Sequence, residues 1–247
     1  MRSLLNPLIE PLGYQLFRTG PKSLGLSPFR DMQRLASTAQ PVVFDVGANV
    51  GQTVAKIRKQ LSNPVVHCFE PTPTTFAQLT KRCGKLNNVY LNNVGLADRV
   101  GELELYKLES SEMNSFLLPL EDARGDVVAR EVVPVTTIDE HCAQHSIEHI
   151  DVLKIDAQGF DLDVIKGARQ MIAEHRVHLI YLELIFSRMY ERVPRLDEIY
   201  GHLANSGFEL VCFYRFSFQH DRAAVSDAMF VNPRFGKPAR ALTRACA

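Results

Sequence analysis

The stretch VVFDVGANVG, from Val42 to Gly51, constrains this chain more than any other. A β-branched and aromatic run that ends in an acid and a glycine turn reads as a buried parallel strand. The turn then opens an amphipathic helix with Val54, Ile57 and Leu61 on one face. Strand, turn and helix are half of a βαβ unit. Such a turn sets free backbone N–H groups and the positive end of a helix dipole at the carboxyl edge of a sheet, where doubly wound folds bind ligands.

The same plan recurs along the chain. VVHCFEP (Val65 to Pro71) reads as a second strand ending at Glu70, followed by a helix with Phe76, Leu79, Cys83 and Leu86 inward. Val89 to Val94 reads as a third strand, and GELELY (Gly101 to Tyr106) alternates as a half-exposed one; together they suggest a hairpin-like insertion. Residues 108–130 mix polar and apolar side chains and read as a mobile segment over the site. A short strand then runs into a helix capped by Thr137.

Ile150 to Asp156 reads as a fourth strand, followed by a Gln158-Gly159 turn and a helix with Leu162, Ile165 and Ala168 aligned. His178 to Leu184 is a fifth, ending near Glu183, and the helix after it stops at Ser206-Gly207. Phe208 to Tyr214 and Ala228 to Val231, with a loop between them, close the sheet. This order predicts an α/β protein with a mostly parallel sheet, helices on both faces and an antiparallel strand at the end.

Charge and cysteines narrow the partners. Lys+Arg and Asp+Glu balance at 28 each in 247 residues, so no global positive field attracts nucleic acid, and a small partner is expected. The 5 cysteines are odd in number and lack a C-x-x-C pair, which argues against a disulfide framework or structural zinc and predicts a cytoplasmic protein. No run approaches the roughly 18 apolar residues of a membrane span. Pro7, Glu10 and Pro11 interrupt the N-terminal apolar run, which reads as a docking or capping segment rather than a signal peptide. The expected division is an extension over 1–40, one domain over 41–233, and a basic tail over 234–247. His141, His145 and His149 stand four apart without an acidic ligand motif and read as surface or half-buried histidines rather than metal ligands.

The first turn selects among ligands. A dinucleotide fingerprint needs G-x-G-x-x-G, so that backbone can approach a pyrophosphate and a helix can pack closely. Counting from Gly47, Asn49 and Gln52 stand where the second and third glycines belong. The spacing from Gly47 to Glu70 is close to the roughly 20 residues that bring a second-strand carboxylate to a ribose. A ligand with a ribose and no phosphates fits better, which favours S-adenosylmethionine over NAD.

DVGANVG, FEP-x-P, NVGLAD-x-x-G, VTTID and LKIDAQG-F-D, in that order, resemble the FkbM-type methyltransferases over roughly Val42 to Val231. The resemblance implies a Rossmann-like class I methyltransferase fold with seven strands, S-adenosylmethionine as methyl donor, and a hydroxyl acceptor on a sugar, glycan or small metabolite. It implies that Asp45, Gly47, Asn49 and Gly51 line the methionine end of that molecule and that Glu70 accepts the ribose hydroxyls. Asn93 would meet the adenine, or simply form a turn.

Asp156, ending the fourth strand, would face the methyl group and either contact the cofactor or orient and deprotonate the acceptor. Lys154, two residues earlier, is a catalytic candidate whose blander role is an ion pair with Asp45 or Asp156. Glu183 could pair with Asp156 around a divalent ion, yet no third ligand is evident, and no metal is expected. Where the family usually carries Glu, this chain has Gln158, which hydrogen-bonds but cannot ionise. Another departure, Asn114-Ser115-Phe116, replaces paired serines and a leucine. A cofactor-binding module without catalysis is the alternative that Gln158 motivates; an NAD-dependent oxidoreductase is the one that the missing glycines disfavour.

Overall fold

In the computed structural model, which describes residue 11 and residues 24–36, 38–123 and 125–236, helix α1 (Pro28–Leu35) precedes strand β1 (Val42–Val46). Apart from residue 11, the docking segment expected before residue 24 lies outside the described residues, as do the tail from residue 237 and Cys246. After β1 come α2 (Gln52–Gln60), β2 (Val65–Phe69), α3 (Pro73–Cys83), β3 (Val89–Asn92), β4 (Gly95–Leu96), β5 (Gly101–Leu108) and β6 (Val127–Thr136). The chain continues through α4 (Ile138–Gln144), β7 (Ile150–Ile155), α5 (Asp161–Lys166), α6 (Arg169–Ala173), β8 (Val177–Ile185), α7 (Leu196–Asn205), β9 (Glu209–Gln219) and β10 (Arg222–Val231).

Seven strands form the main sheet in the order β3-β2-β1-β7-β8-β10-β9. Pairings from β3 to β8 are parallel, and β10 runs antiparallel to both its neighbours. The inner parallel strands β1, β2, β7 and β8 are buried on both faces, as helices covering both sides of a sheet require, while the edge strand β3 is only partly covered. On β1, Phe44 and Val46 join a core cluster with Phe69, Leu153, Ile155, Ile165 and Leu203. Val43 joins a second cluster with Met32, Val54, Ile57 and Leu79 from α1, α2 and α3. The order of reversal lies between β1 and β7, and the ends of these two strands carry the site.

Two expectations change. The expected hairpin of the third strand with Gly101 to Tyr106 does not form: β3 pairs with β2 at the sheet edge, and β5 pairs antiparallel with β6 in a separate sheet ordered β4-β6-β5. Alternation marked β5 correctly as a strand but carries no information about its partner. The loop expected between the last two strands shrinks to His220 and Asp221, at φ 51° and 57°, so that β9 and β10 are one long hairpin.

The segment expected over the site does line it, through residues 111–116, while its last residues, Val127 to Arg130, belong to β6. Ser115 is 1% exposed and bridges to Tyr106, while Pro119 bridges to Tyr190. Thr137 caps α4, accepting the Glu140 N–H at 3.0 Å. Cys68, Cys83, Cys142 and Cys212 are free thiols. Among the described residues no helix is long and apolar enough to cross a membrane.

Candidate active site

A cavity of about 410 Å³ opens at the carboxyl ends of β1, β2, β7 and β8, within the size range of small-molecule sites. Gly47, Asn49, Glu70, Asp156, Gln158 and Glu183 contribute to its wall, and residues 111–116 close one side. It is therefore built by the strand ends that the sequence motifs mark.

The turn after β1 can only be glycine at its first position. Gly47 has φ 68°, and a Cβ there would lie 2.0 Å from the Asp156 carbonyl oxygen, so the ends of β1 and β7 meet across a missing side chain. Gly51, at φ 84°, serves packing: a Cβ there would meet Cys83 Sγ at 2.6 Å, and the residue does not line the cavity. Asn49 adopts φ 47°, accepts the Val50 N–H through its side-chain oxygen at 2.8 Å, and donates through Nδ2 to Ser111 Oγ at 3.0 Å. One side chain thus shapes the turn and ties it to the covering segment.

Glu70 is 6% exposed and lines the cavity. Its Oε1 accepts the Thr72 N–H at 2.9 Å and its Oε2 the Asn49 N–H at 3.2 Å. Burial raises its pKa, opposed by the Thr72 and Asn49 amides, which favour the anion. Each carboxylate oxygen keeps a second lone pair for a ligand hydroxyl. Asn93, by contrast, turns Nδ2 to the Glu70 and Pro71 carbonyls at 2.9 and 3.0 Å, which holds the loop after β2 rather than the cavity wall.

Asp45 and Lys154 stand opposite one another in the β1–β7 register, outside the cavity wall. The Lys154 ammonium lies 2.9 Å from Asp45 Oδ1 and 3.6 Å from Asp156 Oδ2, and it donates to the Val46 and Gly47 carbonyls at 3.1 and 3.3 Å. Burial alone would pull the ammonium down, but the Asp45 and Asp156 carboxylates outweigh it and hold Lys154 above its ordinary pKa. Burial raises Asp45, with Lys154 opposing. Lys154 therefore stays charged and buried, bound to the end of β1, and the structure does not bring its Nζ or the Asp45 carboxylate to the cavity surface. Their geometry is that of a scaffold for the Gly47 turn and for Asp156.

Around Asp156 lies the densest network. Its side chain is 43% exposed, and Gln158 Nε2 donates to its Oδ1 at 2.9 Å. The same Nε2 donates to Glu183 Oε2 at 3.0 Å, the Tyr190 hydroxyl stands 3.0 Å from Gln158 Oε1, and Ser115 Oγ donates to the Gln158 carbonyl at 2.8 Å. Burial raises Glu183 well above the ordinary carboxylate range, reinforced by Asp156, Asp161 and Asp227. Burial and then Asp156 push Asp161 up to about 7. Tyr190 is raised by burial and then by Glu183, so it remains a neutral hydroxyl.

Tyr190 and Asp161 were not singled out in the sequence, and Ser115 only as part of the Asn114-Ser115-Phe116 departure from the family pattern. Asp161 does fall within the LKIDAQG-F-D motif, which was the one available signal. Among the described residues no group of His, Cys, Asp or Glu has metal-binding geometry. His141 is buried and stacks edge-on against Phe69 and His67, while His149 stands 3.4 Å from Asp151.

The family model of the methyltransferase FkbM domain matches residues 45–210, more than half of the chain. The chain belongs to the FkbM methyltransferase family. A curated relative, the 2-O-methyltransferase NoeI of Sinorhizobium fredii, is 26% identical over 220 residues, covering 85% of this chain and 86% of the relative. The methyltransferase sdnD of Sordaria araneosa is 24% identical over 157 residues, covering 52% of this chain and 61% of the relative. Among solved structures, the fibrillarin of Aeropyrum pernix with bound S-adenosyl-L-methionine aligns with TM-score 0.46 at 12% identity, covering 81% of this chain and 73% of that one. Family and strand order agree on a Rossmann-like class I methyltransferase.

Proposed function

We propose that this FkbM methyltransferase transfers the methyl group of S-adenosylmethionine to a hydroxyl oxygen of a sugar, glycan or other small metabolite. The cavity suits that donor. A buried carboxylate, Glu70, keeps free lone pairs for ribose hydroxyls, and Asn49 fills the turn where a dinucleotide fold keeps glycine. Carboxyl groups of Asp156 and Glu183 on the wall favour a cationic occupant. When bound, S-adenosylmethionine supplies an electrophilic methyl carbon on a sulfonium.

The observation that carries the acceptor reading is Asp156, a carboxylate open to the cavity and fixed from two sides by Gln158 and Lys154. Asp156 accepts the hydroxyl proton and orients the oxygen lone pair for in-line attack, where alignment supplies much of the rate. Lys154 acts through Asp156 and the Gly47 turn, as a positioning residue. The name of the NoeI relative, a 2-O-methyltransferase, supports oxygen as the accepting atom.

The test is methyl transfer from isotopically labelled S-adenosylmethionine to a panel of neutral sugars, oligosaccharides and hydroxylated metabolites. Asp156→Asn should lower turnover by about 10²-fold while leaving donor affinity within a few-fold. Equal losses in turnover and affinity would reassign Asp156 to donor binding.

A further inference from the structure

O-methylation must dispose of a proton inside a cavity that already holds several acids. We propose, building on the functional reading above, that the Asp156–Gln158–Glu183 bridge is a proton store keyed to the charge of the occupant. It holds a proton when the cavity is empty or contains a neutral thioether, and gives it up when a sulfonium is bound.

The geometry begins with one nitrogen. Gln158 Nε2 lies 2.9 Å from Asp156 Oδ1 and 3.0 Å from Glu183 Oε2, so carboxyls from the adjacent strands β7 and β8 are drawn to a single donor. Two carboxylates that close repel, and the neutral carboxamide compensates neither charge fully. The carboxamide is itself held: the Tyr190 hydroxyl reaches Gln158 Oε1 and the Met113 carbonyl, each at 3.0 Å.

The surrounding groups deepen the imbalance. Asp161 from α5, Asp227 from β10 and Asp45 from β1 add acids, Asp227 being bonded by the Tyr181 hydroxyl at 2.7 Å. Lys154 is the cation facing them, and Asp45 holds it more closely than Asp156 does, at 2.9 against 3.6 Å. Lys56 also lines the cavity, from α2. Burial, then Asp156, Asp161 and Asp227, favour the protonated form of Glu183, with Lys154 opposing. A glutamate in place of Gln158 would put a third carboxyl within hydrogen-bonding distance of the other two, which gives the residue at this position a function.

The accounting closes over a turnover. The acceptor oxygen forms its bond to the methyl carbon, the carbon–sulfur pair returns to sulfur, and the O–H pair stays on oxygen while the proton passes to Asp156. Loss of the positive charge at sulfur makes Glu183 more basic at the step that delivers the proton. Arrival of the next cationic donor sends that proton to solvent.

Calorimetric titrations with S-adenosylmethionine and with S-adenosylhomocysteine, from about pH 5 to about pH 7 in buffers of different ionisation enthalpy, read the store without any acceptor. The sulfonium form should release more protons on binding, and its affinity should rise with pH by up to about tenfold per unit relative to the thioether. Glu183→Gln should abolish that difference, whereas Asp161→Asn, which removes one of the acids that raise Glu183, should move it to lower pH without abolishing it. Equal pH slopes for the two ligands would overturn the proposal while leaving the functional reading intact. A difference that survives Glu183→Gln but vanishes in Asp161→Asn would move the proton to Asp161 and equally overturn it. Binding of neither ligand would overturn the functional reading, and the store with it.

Discussion

Replacing Glu70 by alanine separates two jobs of one carboxylate. In the folded protein its oxygens satisfy two backbone donors, the N–H groups of Thr72 at 2.9 Å and Asn49 at 3.2 Å. Each donor left unpaired costs about 1 to 3 kcal/mol. Against this, the same substitution removes a buried carboxylate whose ionisation burial already disfavours. The net loss should therefore sit near the lower end, about 2 kcal/mol, against the roughly 5 to 15 kcal/mol of a typical domain.

Ligand binding gives the second magnitude. Hydrogen bonds to a charged group are worth about 1.5 to 3 kcal/mol, so the affinity for S-adenosylmethionine should fall between about tenfold and about 150-fold. Glu70→Gln keeps the shape and one acceptor oxygen, and should lose less of both. Urea unfolding reads the first quantity and calorimetry the second. Unchanged stability would mean that the two amides do not depend on Glu70; unchanged affinity in a folded Glu70→Ala protein would remove Glu70 from the ligand site.

Three further outcomes follow from the geometry. Gly47→Ala puts a Cβ 2.0 Å from the Asp156 carbonyl oxygen at φ 68°; left-handed backbone alone costs roughly 1 to 2 kcal/mol, and parting β1 from β7 adds to it. Denaturant midpoints should fall and donor binding should be lost together. Lys154→Met leaves Asp45 fully buried without its cation and should cost about 3 to 5 kcal/mol, much of it recovered by adding Asp45→Asn, as a double-mutant cycle would show. Asp161, raised from 3.8 to about 7, contributes stability that is fully present below the unfolded pKa and lost as pH rises through about 7. Asp161→Asn should therefore gain on the wild type as pH rises over that window, in thermal melts read at matched ionic strength.

Residues whose role depends on their own strand were legible in the sequence. Gly47 and Glu70 stand at the ends of β1 and β2, where a run of apolar residues stops in a turn or an acid, and both line the cavity. The Thr137 cap was equally local. Asp45 and Lys154 looked like cavity residues because they belong to the same motifs. The β1–β7 register forms the ion pair that the sequence offered as the alternative role of Lys154 and makes Asp45 its nearer partner.

What escaped the sequence is contact between distant segments. Tyr190 reaches Met113 across 77 positions, and Gln158 reaches Glu183 across 25, by way of a strand order that no local pattern encodes. For the same reason β5 was recognised as a strand but given the wrong partner. The β9–β10 hairpin hid because its turn is His220-Asp221, without the Asn-Gly or Asp-Gly pair that usually announces one.

The central claim is that the cavity at the ends of β1 and β7 holds S-adenosylmethionine. Titration of the purified protein with S-adenosylmethionine, S-adenosylhomocysteine and NADH tests it without any choice of acceptor. Saturable binding of the first two with no NADH signal is the expected result. Tight NADH binding, or heat from none of the three, would contradict the claim.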